Sequence, residues 1–155
     1  MIVKSCSQII KDSLEQTIEV CSDSLCPNPV VSVVVLTFNH EPYIREALDS
    51  ILAQECDFEL IIGDDCSTDG TIDILKEYQK RFPDRIKLLL SRSNLYTRHG
   101  TLWANFLRIL LASRAPYIAL LEGDDYWTDP LKLKKQYEAL SVHPDAICCH
   151  HWHTI

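Results

Sequence analysis

Three carboxylates stand within four residues in the segment EGDD, where Glu122, Asp124 and Asp125 follow directly on the apolar run at 118–121. Like charges at that spacing repel one another, and turn chemistry does not require three of them together. The pattern points to a positive partner. Hard oxygen ligands suit Mg2+ or Mn2+ bound jointly with a phosphate-bearing substrate, the cation neutralising a diphosphate and stabilising it as a leaving group. Two more polar clusters end apolar runs in the same way. Thr37-Phe38-Asn39 closes VVSVVVLT, with Glu41 just beyond, and Asp64 and Asp65 open GDDCSTDGT. Asp69, inside that second cluster, reads as turn and cap chemistry. Neither GxxxxGK[ST] nor GxGxxG is present, which argues against P-loop nucleotide hydrolysis and dinucleotide redox chemistry.

These clusters are placed by an alternation of strand and helix patterns. Residues 30–37 are a β-branched run of the kind covered on both faces. Ile44, Ala47, Leu48, Ile51 and Leu52 recur at helical spacing after Pro42. FELIIG is a second strand, followed by a helix on Ile72, Leu75 and Tyr78 with Ser67, Thr68 or Asp69 as its cap. IKLLL is a third, followed by a polar loop at 91–100 and a helix whose apolar stripe is Trp103, Phe106, Leu107 and Leu110. YIALL is a fourth, then a helix on Leu133, Tyr137 and Leu140, and AICCHHWHTI reads as a fifth strand. This order predicts a mostly parallel sheet with helices on both faces, whose ligands bind at the carboxyl ends of the strands. Residues 1–29 read as a separate extension, with a weak amphipathic helix on Ile10, Leu14 and Ile18 and CPNP as a linker; residues 30–155 form one domain.

The net charge of −7 argues against broad binding to nucleic acid or to an anionic membrane, both of which need a basic face. No apolar run reaches membrane-spanning length, and Lys4, Lys11, Asp12 and Glu15 interrupt anything like a secretory leader. Seven cysteines without a CxxC pair read as free thiols. The expected location is cytoplasmic, including the membrane periphery.

VSVVVLTFNHEPYIREALDSILAQ, FELIIGDDCSTDGTIDILKEY and YIALLEGDDYWTDPLKLKKQ, in that order and spacing, resemble the family 2 glycosyltransferases of GT-A fold, over roughly residues 29–152. The resemblance implies a Rossmann-like GT-A sheet, truncated after about the fifth strand. It implies metal-dependent transfer of a sugar, with inversion, from a nucleoside diphosphate sugar to an acceptor hydroxyl, a UDP-sugar being favoured. The acceptor, whether glycan, lipid or protein, stays open. Thr37, Asn39 and Glu41 would line the nucleotide pocket, Asp65 would meet the base, and Asp64 would shape the same loop. Asp124 and Asp125 would serve metal and donor phosphate, with Glu122 where another Asp often stands. Arg98 lies in the loop where some members aim a cation at the diphosphate. Tyr126 and Trp127 would flank the sugar or acceptor, or pack.

Two departures stand out. ASRAPY replaces a glycine turn before the fourth strand, and no residue matches the family's general base. His150, His151 and His153 lie on the expected fifth strand without motif support as a base, and Cys149, His151 and His153 share a strand face but match no zinc spacing. Alternative readings are a non-catalytic nucleotide-sugar-binding module lacking the base, and a different metal-dependent phosphoryl or nucleotidyl enzyme. The latter leaves TFN and DDCSTDGT without a role.

Overall fold

The computed structural model describes residues 5–150. Helix α1 (Cys6–Glu15) opens with a capping box, in which Ser5 Oγ accepts from Gln8 N and Gln8 Oε1 accepts from Ser5 N. Strand β1 (Thr17–Val20) follows at once, so Ile18 sits on a strand and not on the helical stripe expected of it. Next come β2 (Val31–Thr37), α2 (Ile44–Leu52), β3 (Phe58–Asp64), α3 (Thr71–Arg81) and β4 (Ile86–Ser91). The polar loop expected at 91–100 contains a short helix, α4 (Leu95–His99), and α5 (Trp103–Ala112), β5 (Tyr117–Glu122) and α6 (Lys132–Val142) complete the order. Residues 146–150 of the expected fifth strand are irregular, and His151 and His153 lie outside the described residues.

The five strands form one sheet in the order β1-β4-β3-β2-β5. β4, β3, β2 and β5 run parallel, and β1 pairs antiparallel with β4, so the segment ahead of residue 30 supplies an edge of the sheet. Alternation splits β2 between two cores. Val33 and Val35 join Leu60, Ile62, Leu88, Leu48, Leu75 and Leu133 on one face, while Val34 meets Ile61, Leu89 and Ile109 on the other.

Helix α5 buries Ala104, Asn105, Arg108 and Ile109; Trp103, expected on its inner stripe, is 63% exposed. Apolar residues surround this helix almost completely, so periodicity does not select a face. Close approach does. Gly63 leaves no room for a Cβ, which would overlap Ile109 and lie 2.6 Å from Asn105 Oδ1, and Asn105 Nδ2 donates to the Gly63 carbonyl at 3.0 Å. All seven cysteines are free thiols. Among the described residues no helix is long and apolar enough to cross a membrane.

At the opposite end of the sheet from the acids, the buried Glu59 carboxylate accepts from Ser32 Oγ at 2.6 Å and from Arg114 N and Nε, each at 2.7 Å. Arg114, in the place of the expected glycine turn, also donates to the Cys26 carbonyl and so pins the linker. Glu59→Ala removes the buried acceptor of Ser32 Oγ and Arg114 N, while the part-exposed Arg114 guanidinium can turn to water, and urea unfolding should show a loss of about 1–3 kcal/mol.

Candidate functional site

The carboxyl ends of three adjacent parallel strands build one rim. β2 lies between β3 and β5, with Thr37 opposite Asp64 and Leu36 opposite both Gly63 and Glu122. The loops leaving β2 and β3 are laced together by backbone amides. Asp65 N donates to the Thr37 carbonyl at 3.0 Å, Asn39 N to Ser67 Oγ at 2.9 Å, and Thr68 N to Asn39 Oδ1 at 2.8 Å. Asn39 holds this place with φ of 56°, a left-handed conformation that asparagine tolerates better than most residues. Glu41 Oε2 accepts from Gly70 N at 2.8 Å, and Asp69 accepts from Glu41 N at 3.1 Å and Thr71 N at 3.0 Å. Both carboxylates therefore neutralise the start of α3, whose N-cap, Gly70, has no side chain to do so.

Asp64 is fully buried and accepts from both the amide and the hydroxyl of Ser67. Burial pushes its pKa up, against the Ser67 hydrogen bonds and the nearby Arg108. Asp65, also buried, accepts from Leu95 N at 2.6 Å and Tyr96 N at 3.1 Å, the first amides of α4. Arg108 is a cation that the sequence reading did not single out. Its guanidinium, 1% exposed, donates to the Asp64 carbonyl at 2.8 Å, to Asn105 Oδ1 at 2.9 Å and to Thr17 Oγ1 at 2.9 Å. Burial lowers its pKa to about 10, opposed by Asp65 and Asp64, so it stays charged at neutral pH. An arginine on an apolar helix gives no sequence sign of being buried.

The acid motif differs in kind. Glu122, Asp124 and Asp125 are exposed, and their side chains accept no hydrogen bond among the described residues. Burial first, then repulsion from Asp124 and Asp125, raises the pKa of Glu122, while His40 lowers it. Gly123 brings this loop against β2: a Cβ there would lie 2.5 Å from His40 Nδ1 and 3.0 Å from Thr37 Oγ1. Those two atoms are buried without a hydrogen-bond partner. A cleft of about 630 Å3 opens beside the acids, lined by Tyr126, Lys132, Lys135 and His150 among others. Tyr126 is 54% exposed; Trp127, at 7%, packs in the core with Lys132 Nζ 4.1 Å from its ring centroid. Burial lowers the Lys132 pKa to about 8.

The structure thus brings Thr37, Asn39, Glu41, Asp64, Asp65, Glu122, Asp124 and Asp125 to one rim. It turns Arg98 elsewhere, onto Asp12 of α1, with Nη2 at 2.8 Å from Oδ1. No three acidic, histidine or cysteine side chains among the described residues are arranged to hold a metal. Mg2+ and Mn2+ bound with a diphosphate need only one or two carboxylates, the phosphates and water supplying the rest. Two exposed carboxylates without hydrogen-bond partners fit that mode, and an all-protein cage does not.

Residues 32–155 match the family described as Glycosyl transferase family 2. The chain belongs to this family. An uncharacterized protein of Mycobacterium tuberculosis (strain ATCC 25618 / H37Rv) is 47% identical over 123 residues, which is 78% of this chain and 34% of that protein. The chain therefore spans about a third of the length of that relative. S. aureus TarS 1–349 in complex with UDP is similar with a TM-score of 0.62 and 28% identity, over 74% of this chain and 32% of that one. The mannosyltransferase PcManGT from Pyrobaculum calidifontis, in complex with GDP-Man and Mn2+, has a TM-score of 0.64 and 25% identity, over 85% of this chain and 38% of its own. The α/β sheet is thus that of the GT-A glycosyltransferases.

The raised pKa of Glu122 has a sign that can be tested. Its ionised form opposes folding; the penalty is absent below the ordinary glutamate value of about 4.3 and complete above the raised one. Glu122→Gln should raise the melting temperature by about 1–2 °C at pH 7, and the gain should vanish when the scan is repeated at pH 4.

Proposed function

We propose that this chain binds a nucleoside diphosphate sugar across the β2–β3–β5 rim and passes the sugar, with inversion, to an acceptor hydroxyl. The observation that carries the reading is the division of labour on the rim. Buried carboxylates at the end of β3 are engaged by amides and fix the loops there, while two exposed carboxylates after β5 remain unmatched beside a cleft. A UDP-sugar is favoured because the loops bearing Thr37, Asn39 and Asp65 match the family's nucleotide pocket, and because TarS, a similar protein, binds UDP and UDP-GlcNAc.

In this reading the loops of β2 and β3 frame the nucleoside and Gly123 lets the acid loop approach it. Asp124 and Asp125, with Glu122 beside them, would hold Mn2+ or Mg2+. Such an ion supplies charge neutralisation to the departing diphosphate. The acceptor oxygen bonds to the anomeric carbon as the bond from that carbon to the diphosphate oxygen breaks. The hydroxyl proton passes to a general base, which no residue on the rim is assigned to be. The alternative, a donor-binding module that does not transfer, shares every one of these donor contacts.

Thermal shift with UDP, GDP and TDP, with and without Mn2+, tests the donor site. UDP with Mn2+ at about 100 times its Kd should stabilise the fold by about 2.7 kcal/mol. Asp125→Asn should abolish the metal-dependent part while keeping or slightly raising the melting temperature of the protein alone. An Asp125→Asn protein that fails to fold, or a wild type that no nucleotide stabilises, would sink the assignment. A wild type that binds but neither hydrolyses nor transfers the sugar favours the binding module.

A further inference from the structure

Three separate attachments tie the segment ahead of β2 to the loops that carry Asp64 and Asp65. Thr17 Oγ1 accepts from Arg108, which also donates to the Asp64 carbonyl. The Gln16 carbonyl accepts from Arg92 N at 2.8 Å, and Ser93 Oγ donates to Gln16 Oε1 at 3.2 Å, fastening the chain just ahead of Asn94. On α1, Asp12 receives Arg98 through two nitrogens, Nε at 2.5 Å and Nη2 at 2.8 Å, while the buried His99 ring lies beside it with Nε2 2.9 Å from Asp12 Oδ2 and neither ring nitrogen hydrogen-bonded among the described residues. All three attachments start from residues that precede residue 32, where the family match begins.

What Asp12 holds is the helix whose first amides hold Asp65. α4 has five residues, too few to persist without tertiary anchors. Its start is anchored by Asp65, together with Asn94, whose amide donates to the Asp65 carbonyl at 3.0 Å. Its end is anchored by Arg98 against Asp12. A two-nitrogen guanidinium–carboxylate pair fixes rotation as well as distance, so the far end of α4 sets the direction in which the Leu95 and Tyr96 amides point.

We propose that Asp12 is a positioning residue for the donor site, acting through α4 on Asp65; this rests on the donor-site reading above. Releasing Arg98 frees the end of α4, loosens both amides on Asp65 and leaves that carboxylate without a fixed orientation toward a base. The acids after β5 stand beyond β2 from Asp65, so the phosphate end of the site is unaffected.

Asp12→Ala and Asp12→Glu in this chain test the proposal by two readouts. In hydrogen exchange, Asp12→Ala should speed the Leu95 and Tyr96 amides about fivefold or more and leave the β2 amides at wild-type rates, with Asp12→Glu restoring part of the protection. Unchanged rates at Leu95 and Tyr96 overturn the proposal whatever nucleotide binding shows. In calorimetric titrations with Mn2+ present, Asp12→Ala should weaken UDP about fivefold or more and leave pyrophosphate unchanged. Equal weakening of both, or a lower melting temperature with the UDP-to-pyrophosphate ratio intact, makes Asp12 merely structural and overturns the proposal. A wild type that binds pyrophosphate or nothing, but no UDP, overturns the donor-site reading and takes this proposal with it.

Discussion

Parallel pairing of β2 with β3 on one side and β5 on the other decides where each polar group of the rim stands. A parallel sheet must be covered on both faces, and the valines of β2 meet that demand by alternating between two cores. Once those side chains are committed, a slip of one residue would exchange the faces. The register is therefore held by the whole interior. Thr37 comes level with Asp64, and Glu122 one residue back with Leu36, because the cores beneath them admit no other alignment.

On that rim the carboxylates divide by what satisfies them. Asp64, Asp65, Asp69 and Glu41 each accept backbone amides, so their charge stabilises loop geometry and the starts of α3 and α4. Arg108, 1% exposed, spends its guanidinium on the Asp64 carbonyl, Asn105 Oδ1 and Thr17 Oγ1. Charged groups this deep are tolerated when paired and hydrogen-bonded, and costly once a partner is lost. The acids after β5 have no such arrangement, and burial first, then repulsion from Asp124 and Asp125, raises the pKa of Glu122. The same residue type thus serves as scaffold after β3 and stands exposed, without hydrogen-bond partners among the described residues, after β5.

Much of this was legible in the sequence. The β-branched run at residues 30–37 and the stripes of α2 and α3 state their periods plainly, and EGDD is conspicuous because three acids follow four apolar residues. Other features were not legible, for physical reasons. The inner face of α5 is chosen by Ala104, Asn105 and Arg108 fitting against Gly63, whereas its leucines and Trp103 carry the hydrophobic signal. Ile18 fits a helical stripe by spacing, but Gln16 already caps α1 and β4 offers an edge to pair with. Arg98 reads as a loop cation until α1 is placed beside it. The lacing of the rim depends on backbone amides, which every residue but proline carries and no composition reveals.

The left-handed turn at Asn39 imposes a narrow chemical filter on its position. The backbone there favours glycine, asparagine or aspartate. Glycine would supply the turn and lose the acceptor for Thr68 N. Aspartate would keep the acceptor but add one more negative charge among Glu41, Asp64, Asp65 and Asp69, whose amide donors are already engaged. Asparagine alone of the three combines a short side chain, a carbonyl oxygen and neutrality. One backbone angle, together with the surrounding charge, therefore nearly spells the residue.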